Sequence, residues 1–347
     1  MLYLTRLIRG IGMTVTAKEL AKILQLSEAA VSMALNNKPG VSTKTRQKVI
    51  ETATKYGYDF TRITEVNETK MEKGNLSFII YKKHGAVVTD SPFFNQLTEG
   101  IEQSCRKERY HLHINYVYCD EDIKQQLDEL SFCDGIILLA TEMKNEDFQP
   151  FSYLKKPIVV LDTYFQDLNY NCVLINNFQG AYQATNYIIR KTKSQPGYLH
   201  SSYAIGNFDE RSDGFFKAVR ENGMSSSKSQ VLTLSPSMDG AYKDILELLE
   251  HGEEPVRSYF ADNDLIAAGA MKAFKEKGYR IPADIAIIGF DNMPFCTYLE
   301  PALTTVHVPK QYMGEMAVQR LIQIIDSKES FPIKLEVATS IIKRKSV

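Results

Sequence analysis

From residue 75 onward the chain alternates short apolar runs, each one strand long, with segments whose apolar residues recur at helical spacing, and this rhythm limits the fold more than any other feature. The runs at 76–81, 135–140 and 158–161 are rich in Ile, Val and Leu, residues 111–118 alternate, and 94–109 and 123–130 read as helices between them. Parallel strands need long crossovers, and a parallel sheet needs helices on both faces. The rhythm restarts after residue 172, with strands at 173–175, 197–201, 258–261 and 285–288 and helices at 180–191, 213–222 and 265–277. Two such sheets are expected in one chain.

The length of 347 residues suits two or three domains, and 44% hydrophobic with 24% charged residues excludes a disordered or collagenous chain. Five cysteines, at 105, 119, 133, 172 and 296, form no C-x-x-C pair, a usage expected of a reducing compartment, and they read as buried small apolar residues. The longest apolar run, Ile136 to Ala140, is far short of a membrane span, so no membrane partner is expected. Residues 1–13 lack a long apolar stretch and a cleavage site and read as an extension or overlong start, which points to a cytoplasmic protein.

Charge is unevenly spread: residues 1–73 balance at +5 and the rest at −6. A small basic part on an acidic body is the asymmetry expected of a nucleic-acid-binding module. That part, residues 14–60, reads as three short helices. Thr16 and Glu19 make a T-x-x-E capping box ahead of an inward stripe of Leu20, Ile23 and Leu24. Ser27 caps a second helix with Val31, Ala34 and Leu35 inward and Glu28, Ala29, Ser32, Met33 and Asn36 outward. Ser42 caps a third, with Thr45, Val49, Ala53 and Tyr56 inward and Gly57 at a left-handed stop. Two helices joined so closely and braced by a third form a helix-turn-helix, whose second helix can enter the DNA major groove. A three-helix bundle for protein contact is the alternative, but small polar side chains suit a phosphate backbone better than a protein-docking face.

The stretch 15–58, with T-A-K-E-L-A, L-S-E-A-A-V-S-M-A-L-N, V-S-T-K-T-R-Q-K-V and Y-G-Y, resembles the DNA-binding headpiece of the lactose-repressor/galactose-repressor (LacI/GalR) family. The resemblance implies that Glu28, Ala29 and Met33 face base edges, and that Thr16, Ser27, Ser32, Asn36, Ser42, Thr45 and Arg46 hold phosphates. Glu28 can accept from cytosine N4, and Met33, where many members carry arginine, can meet a thymine methyl or simply fill space on the groove wall. Residues 61–74 read as a polar hinge or linker. The family's minor-groove leucine falls at Asn67, which is not apolar, leaving Ile63 and Val66 as the apolar alternatives.

Acidic and amide residues gather at the predicted carboxyl ends of strands, where open α/β sheets bind ligands: Asp162, the run Asp262-Asn263-Asp264, and Asp291, with Asp209-Glu210-Arg211 opening a helix. Such groups can bind adjacent hydroxyls bidentately, with Phe93 and Phe94 as a stacking face. A metal site or an acid/base pair is the competing reading of these acids, but no catalytic or phosphate-loop motif accompanies them. No cofactor, metal or catalytic residue is therefore expected.

The resemblance extends, more loosely, through S-P-F-F at 91–94, D-E-R-S-D-G-F at 209–215, F-A-D-N-D-L-I-A-A-G-A-M at 260–271, I-G-F-D-N at 288–292 and P-A-L-T-T-V at 301–306. It implies a periplasmic-binding-protein-like core at 75–347 of two parallel-sheet subdomains, about 75–162 with 306–327 and about 163–305 with 328–347. It also implies effector contacts from Phe93, Asp162, Arg211, Asn263 and Asp291. The expected whole is a ligand-responsive regulator, a repressor, acting as a homodimer on pseudo-palindromic double-stranded operator DNA and answering to a sugar. A purine or nucleoside is the alternative effector. From another class, a solute-binding protein would share the core but not the headpiece.

Overall fold

The computed structural model describes residues 15–36, 38, 40–60, 72–83, 88, 92–128, 132–327 and 331–347. The expectations for residues 1–13 and for Ile63, Val66 and Asn67 lie outside the described residues. The chain divides into two units, residues 1–72 and 73–347.

In the first unit three helices, α1 (Ala17–Leu24), α2 (Glu28–Leu35) and α3 (Thr43–Lys55), follow from local signals. Thr16 and Glu19 form the capping box, with the Glu19 carboxylate accepting from Thr16 N at 2.8 Å. Ser27 Oγ accepts from Ala30 N at 3.1 Å and Ser42 Oγ from Thr45 N at 3.2 Å, satisfying amides that a helix start leaves open. Gly57 stops α3 at φ +67°, with Tyr58 N donating to Ala53 O at 2.9 Å. Leu20, Ala21, Val31, Ala34, Leu35, Val49 and Ala53 form the buried centre with Val15. Ala21 takes the inward place expected of Ile23, which is half-buried outside that cluster.

The second unit holds two six-stranded sheets. The first has the order β11-β5-β4-β3-β1-β2, from β1 (Gly74–Lys82), β2 (Tyr110–Tyr118), β3 (Gly135–Leu139), β4 (Ile158–Leu161), β5 (Asn171–Ile175) and β11 (Lys334–Val337). The second has the order β12-β10-β9-β8-β6-β7, from β6 (Gly197–Ser201), β7 (Val231–Leu234), β8 (Ser258–Ala261), β9 (Ala286–Asp291), β10 (Thr304–His307) and β12 (Ser340–Ile342). Every pairing is parallel except β10 with β12. Successive residues of β1 and β3 enter different clusters, Phe78 and Ile137 in one and Ile79 and Ile136 in the other, so both faces of the first sheet are dry. Of the five free cysteines, four are buried and Cys119 is half-buried.

The subdomain boundaries differ from those expected. Residues 171–175 and 334–337, assigned from sequence to the second subdomain, are strands of the first sheet, and 306–307 belong to the second. Pairing partners decide membership, and partners distant in the chain leave no local trace. The chain therefore crosses after Ile175, after His307 and after Val337.

Connecting helices are α4 (Pro92–Glu108), α5 (Ile123–Asp128), α6 (Gln149–Ser152), α7 (Asn177–Thr192), α8 (Gly206–Glu221), α9 (Met238–Glu250), α10 (Asp264–Glu276) and α11 (Lys310–Asp326). The α4–α11 contact is close because glycines meet backbone: a Cβ on Gly100 would lie 2.1 Å from Gln311 O, and one on Gly314 2.5 Å from Leu97 O. Interiors packed to crystal density have no room for that methyl. Gly100→Ala is expected to destabilise the core by about 1–3 kcal/mol, seen as a lower urea midpoint at constant slope. An unchanged midpoint would show that the helices can separate without loss.

Candidate functional site

Five side chains predicted from sequence, Phe93, Asp162, Arg211, Asn263 and Asp291, line one cleft in the second unit. Its empty volume is about 450 Å³, counting the part open to solvent. Asp162 follows β4, Asp291 ends β9, Asn263 caps α10 after β8, and Phe93 lies in the first turn of α4. Strand ends and helix starts thus converge, as the open-sheet rule requires.

Arg211 organises the polar side. It is 4% exposed. Its Nε donates to Asn177 Oδ1 at 2.9 Å and its Nη1 to the Asp262 carbonyl, while Nη2 stands 3.5 Å from Asp291 Oδ1. The guanidinium also lies on the Phe290 ring, 3.8 Å from its centre, so the cation is held on several sides.

The two acids are less well provided for. Asp162 Oδ2 accepts from the Thr141 hydroxyl at 2.7 Å and the carboxyl also has the Asn207 amide beside it, but Oδ1 has no hydrogen-bond partner, and Asp291 Oδ1 has only the 3.5 Å approach of Arg211 Nη2. Burial pushes the Asp162 carboxyl up to about 7, against the pull of Thr141 and Arg211. Burial also raises Asp291, opposed by Arg211 and Lys310. Both residues hold positive φ, 68° and 107°, a strained backbone for a non-glycine residue. Orphaned buried acceptors on strained backbone are unfavourable for folding alone, and a donor brought by a ligand satisfies them.

Asn263 serves both a cap and the cleft: its Oδ1 accepts from Ile266 N at 2.8 Å while the residue lines the cavity. Its neighbours do not share that position. Asp262, grouped with it from sequence, turns inward to accept from the Tyr198 hydroxyl and from Ser201 N at 2.6 Å, with His200 Nδ1 at 2.7 Å. Asp264 accepts from Met293 N at 2.7 Å and from the Thr305 hydroxyl. Both are fully buried and knit the second sheet rather than face the cleft. Glu210 likewise takes Asn177 Nδ2 at 3.1 Å.

Several lining residues escaped sequence reasoning, among them Thr141, Asn207 and Phe208. Asn207 and Phe208 precede Arg211 by four and three positions, one face of α8. The polar run 209–211 marks the expected opening of this helix and its apolar stripe becomes regular only from 213, whereas the helix starts at Gly206, so Asn207 and Phe208 fall ahead of the expected start. Thr141 directly follows the strand expected at 135–140, so extending the strand-end rule to every strand would have found it.

On the first unit, Thr16, Ser27, Glu28, Ala29, Ser32 and Ser42 are exposed, and Met33, Asn36, Thr45 and Arg46 half-buried. The outer side of α2 is small and polar. Asn36 Nδ2 donates to Ser32 O at 2.8 Å, and Glu28 lies 3.9 Å from Lys18 Nζ. Arg46 Nη2 donates to Lys38 O, tying α3 to the turn after α2. A Cβ on Gly40 would lie 3.1 Å from Met33 Sδ, so this side chain leans on the Gly40 turn.

Among the described residues no helix is long and apolar enough to cross a membrane. Residues 197–347 match the model of a periplasmic binding protein-like domain. The chain is 29% identical to the HTH-type transcriptional repressor PurR of Mannheimia succiniciproducens over 96% of its length and 98% of that protein. It is 28% identical to the ribose operon repressor of Haemophilus influenzae at the same coverage. Among solved structures, a LacI family transcriptional regulator from Enterococcus faecium with bound ribose is 25% identical, with a TM-score of 0.67 over 78% of this chain and 98% of that one. The complex of the transcriptional regulator CelR with cellobiose shares the fold at a TM-score of 0.71, with 20% identity over 96% of this chain and all of the other. A capped helix-turn-helix, two crossed-over parallel sheets with a cleft at their strand ends, and likeness to such repressors over 96% of its length make the chain similar to transcriptional regulators of the LacI/GalR family.

Proposed function

We propose that this protein is a sequence-specific DNA-binding repressor whose operator affinity is controlled by a sugar bound in the cleft at Phe93, Asp162, Arg211, Asn263 and Asp291. The observation that carries the effector reading is the pair of buried oxygens without a hydrogen-bond partner, Asp162 Oδ1 and Asp291 Oδ1, in a cleft also lined by the Phe93 and Phe94 rings. Hydroxyls of a polyol supply the donors and its C–H face packs on the rings. Those rings equally suit a flat nucleobase with N–H donors, which keeps a purine or nucleoside as the second reading.

Three crossings between the sheets let the cleft open and close by small changes of backbone at Ile175, His307 and Val337. A ligand that binds one closure state better shifts the population, and its coupling to DNA is reciprocal. One headpiece spans few base pairs, so a dimer on a pseudo-palindrome follows. The relatives are regulators rather than enzymes, and the cleft is read as a binding site in a cytoplasmic protein.

Thermal shift of the full chain against sugars and nucleosides tests the effector half, and selective stabilisation by a nucleobase alone would replace sugar with purine. For the DNA half, Ser32→Ala is expected to weaken binding on all duplexes alike, by about 1 kcal/mol, as loss of a backbone contact does. Met33→Ala is expected to relax preference at one base pair by about 1 kcal/mol, measured by competition between single-base variants of the operator. Uniform weakening by Met33→Ala would make that side chain a filler against the Gly40 turn.

A further inference from the structure

We propose that the cleft admits effectors that present hydrogen-bond donors and carry no anionic group, so that a neutral sugar or nucleoside binds while its phosphate or carboxylate derivatives are rejected. This rests on the reading of the cleft as the effector site. Among the described lining residues, the buried polar side-chain atoms left without a hydrogen-bond partner are Asp162 Oδ1 and Asp291 Oδ1, both acceptors. A phosphate or carboxylate offers them more acceptors, so neither side is satisfied and like charges are brought together in a low-dielectric site.

The cations nearby are already engaged. Arg211 gives Nε to Asn177 and Nη1 to the Asp262 carbonyl, and its remaining nitrogen faces Asp291. Lys310, 2% exposed, donates Nζ to the main-chain carbonyls of Asp291 and Val308, and that nitrogen is 5.4 Å from the centre of the Phe93 ring. Its charge is turned to backbone behind Asp291 rather than into the cleft.

Three helix starts, those of α4, α8 and α10, also open here, and each brings roughly half a positive charge. Those of α8 and α10 carry an acid in their own first turn, Asp209 and Asp264 respectively, and that of α4 carries none. Asp262 and Asp264 stand behind the cleft wall as two further buried carboxylates. Against Arg211, Lys310 and the start of α4 stand four buried carboxylates, Asp162, Asp262, Asp264 and Asp291, so the balance of these groups disfavours an anion.

The same geometry links effector binding to protons. Asp162 is faced by Thr141 after β3, by Arg211 and Asn207 on α8, and by Asp291 at the end of β9, and its carboxyl titrates at about 7. A ligand hydroxyl donating to Oδ1 favours the ionised form. Binding of a neutral ligand therefore releases protons and strengthens as pH rises through that value.

The test is calorimetric titration of the full-length protein with matched pairs: ribose and ribose 5-phosphate, glucose and glucose 6-phosphate, cellobiose and cellobionate, adenosine and its monophosphate. Expected is binding of a neutral member, with its anionic counterpart weaker by at least about 100-fold. Affinity for the neutral member should rise about tenfold between about pH 6 and about pH 8 and lose that dependence in Asp162→Asn. An anionic compound binding as tightly as its parent, and losing that affinity on Arg211→Ala, overturns this selectivity while leaving the cleft as the effector site. If no compound of either class binds, the cleft reading falls and the selectivity falls with it.

Discussion

A chain beginning at Lys73 is expected to lose all sequence-selective DNA binding yet keep its effector-induced thermal stabilisation in full. The division at Glu72 separates two units with their own interiors: the headpiece centres on Leu20, Val31 and Val49, while the sheets bury Phe78, Phe260 and Phe290. Removing the headpiece takes away every candidate DNA contact and none of the cleft residues. Ligand at 100 times its Kd should stabilise the truncated core by about 2.7 kcal/mol, as it does the whole chain. Gel-shift or fluorescence anisotropy on operator against random duplex reads the first effect, and a melting curve with and without effector the second. Operator binding retained by the truncated chain would sink the headpiece assignment. Loss of the ligand response would mean that the cleft needs residues outside the second unit.

The other large effect belongs to Arg211→Ala. Deleting one member of a buried, hydrogen-bonded charge set costs about 3–5 kcal/mol, because the partners stay buried without it. Here the stranded partners are Asp291, the Asn177 amide oxygen and the Asp262 carbonyl. Effector affinity is expected to fall at least about 100-fold, since Asp291 loses the group that opposes its protonation and Asn177 loses its orientation. Operator affinity of the folded variant should change little, because every candidate DNA contact is in the other unit. Arg211→Lys separates charge from geometry: it keeps a cation but cannot reproduce the fork that reaches Asn177 and the Asp262 carbonyl together. Recovery by lysine would reduce the role of Arg211 to simple charge. Intact effector affinity in Arg211→Ala would remove this residue from the site.

What could be read without coordinates follows the range of the forces involved. Caps are local: a hydroxyl reaches an amide three residues on, so Thr16, Ser27 and Ser42 were legible as helix starts, and each side chain accepts from that amide. Strands β3 and β4 were legible as apolar runs because a parallel strand covered on both faces must be apolar at every position. The three-residue β12 and the half-polar β11 carry no such signature. They form strands because β10 and β5 present open edges to them.

Cleft residues were legible by type and place, as acids after strands, but not by direction. Asp162, Asp262, Asp264 and Asp291 look alike in the chain. Only packing determines that Asp162 and Asp291 line the cavity with an oxygen left without a hydrogen-bond partner, while Asp262 and Asp264 are taken up by Tyr198, Ser201, Met293 and Thr305.

The amino-acid order alone thus determined the three capped helices, the alternation that demands parallel sheets, and the set of polar residues available at strand ends, because each depends on neighbours within a few positions. The tertiary structure alone decided which sheet claims 171–175 and 334–337, where the chain crosses, and which carboxylates lack a donor. Those outcomes depend on edge pairing and burial between segments distant in the chain, 29 residues apart for Asp264 and Met293 and 162 for Cys172 and Lys334, where a side chain's partner is set by whatever the fold brings beside it.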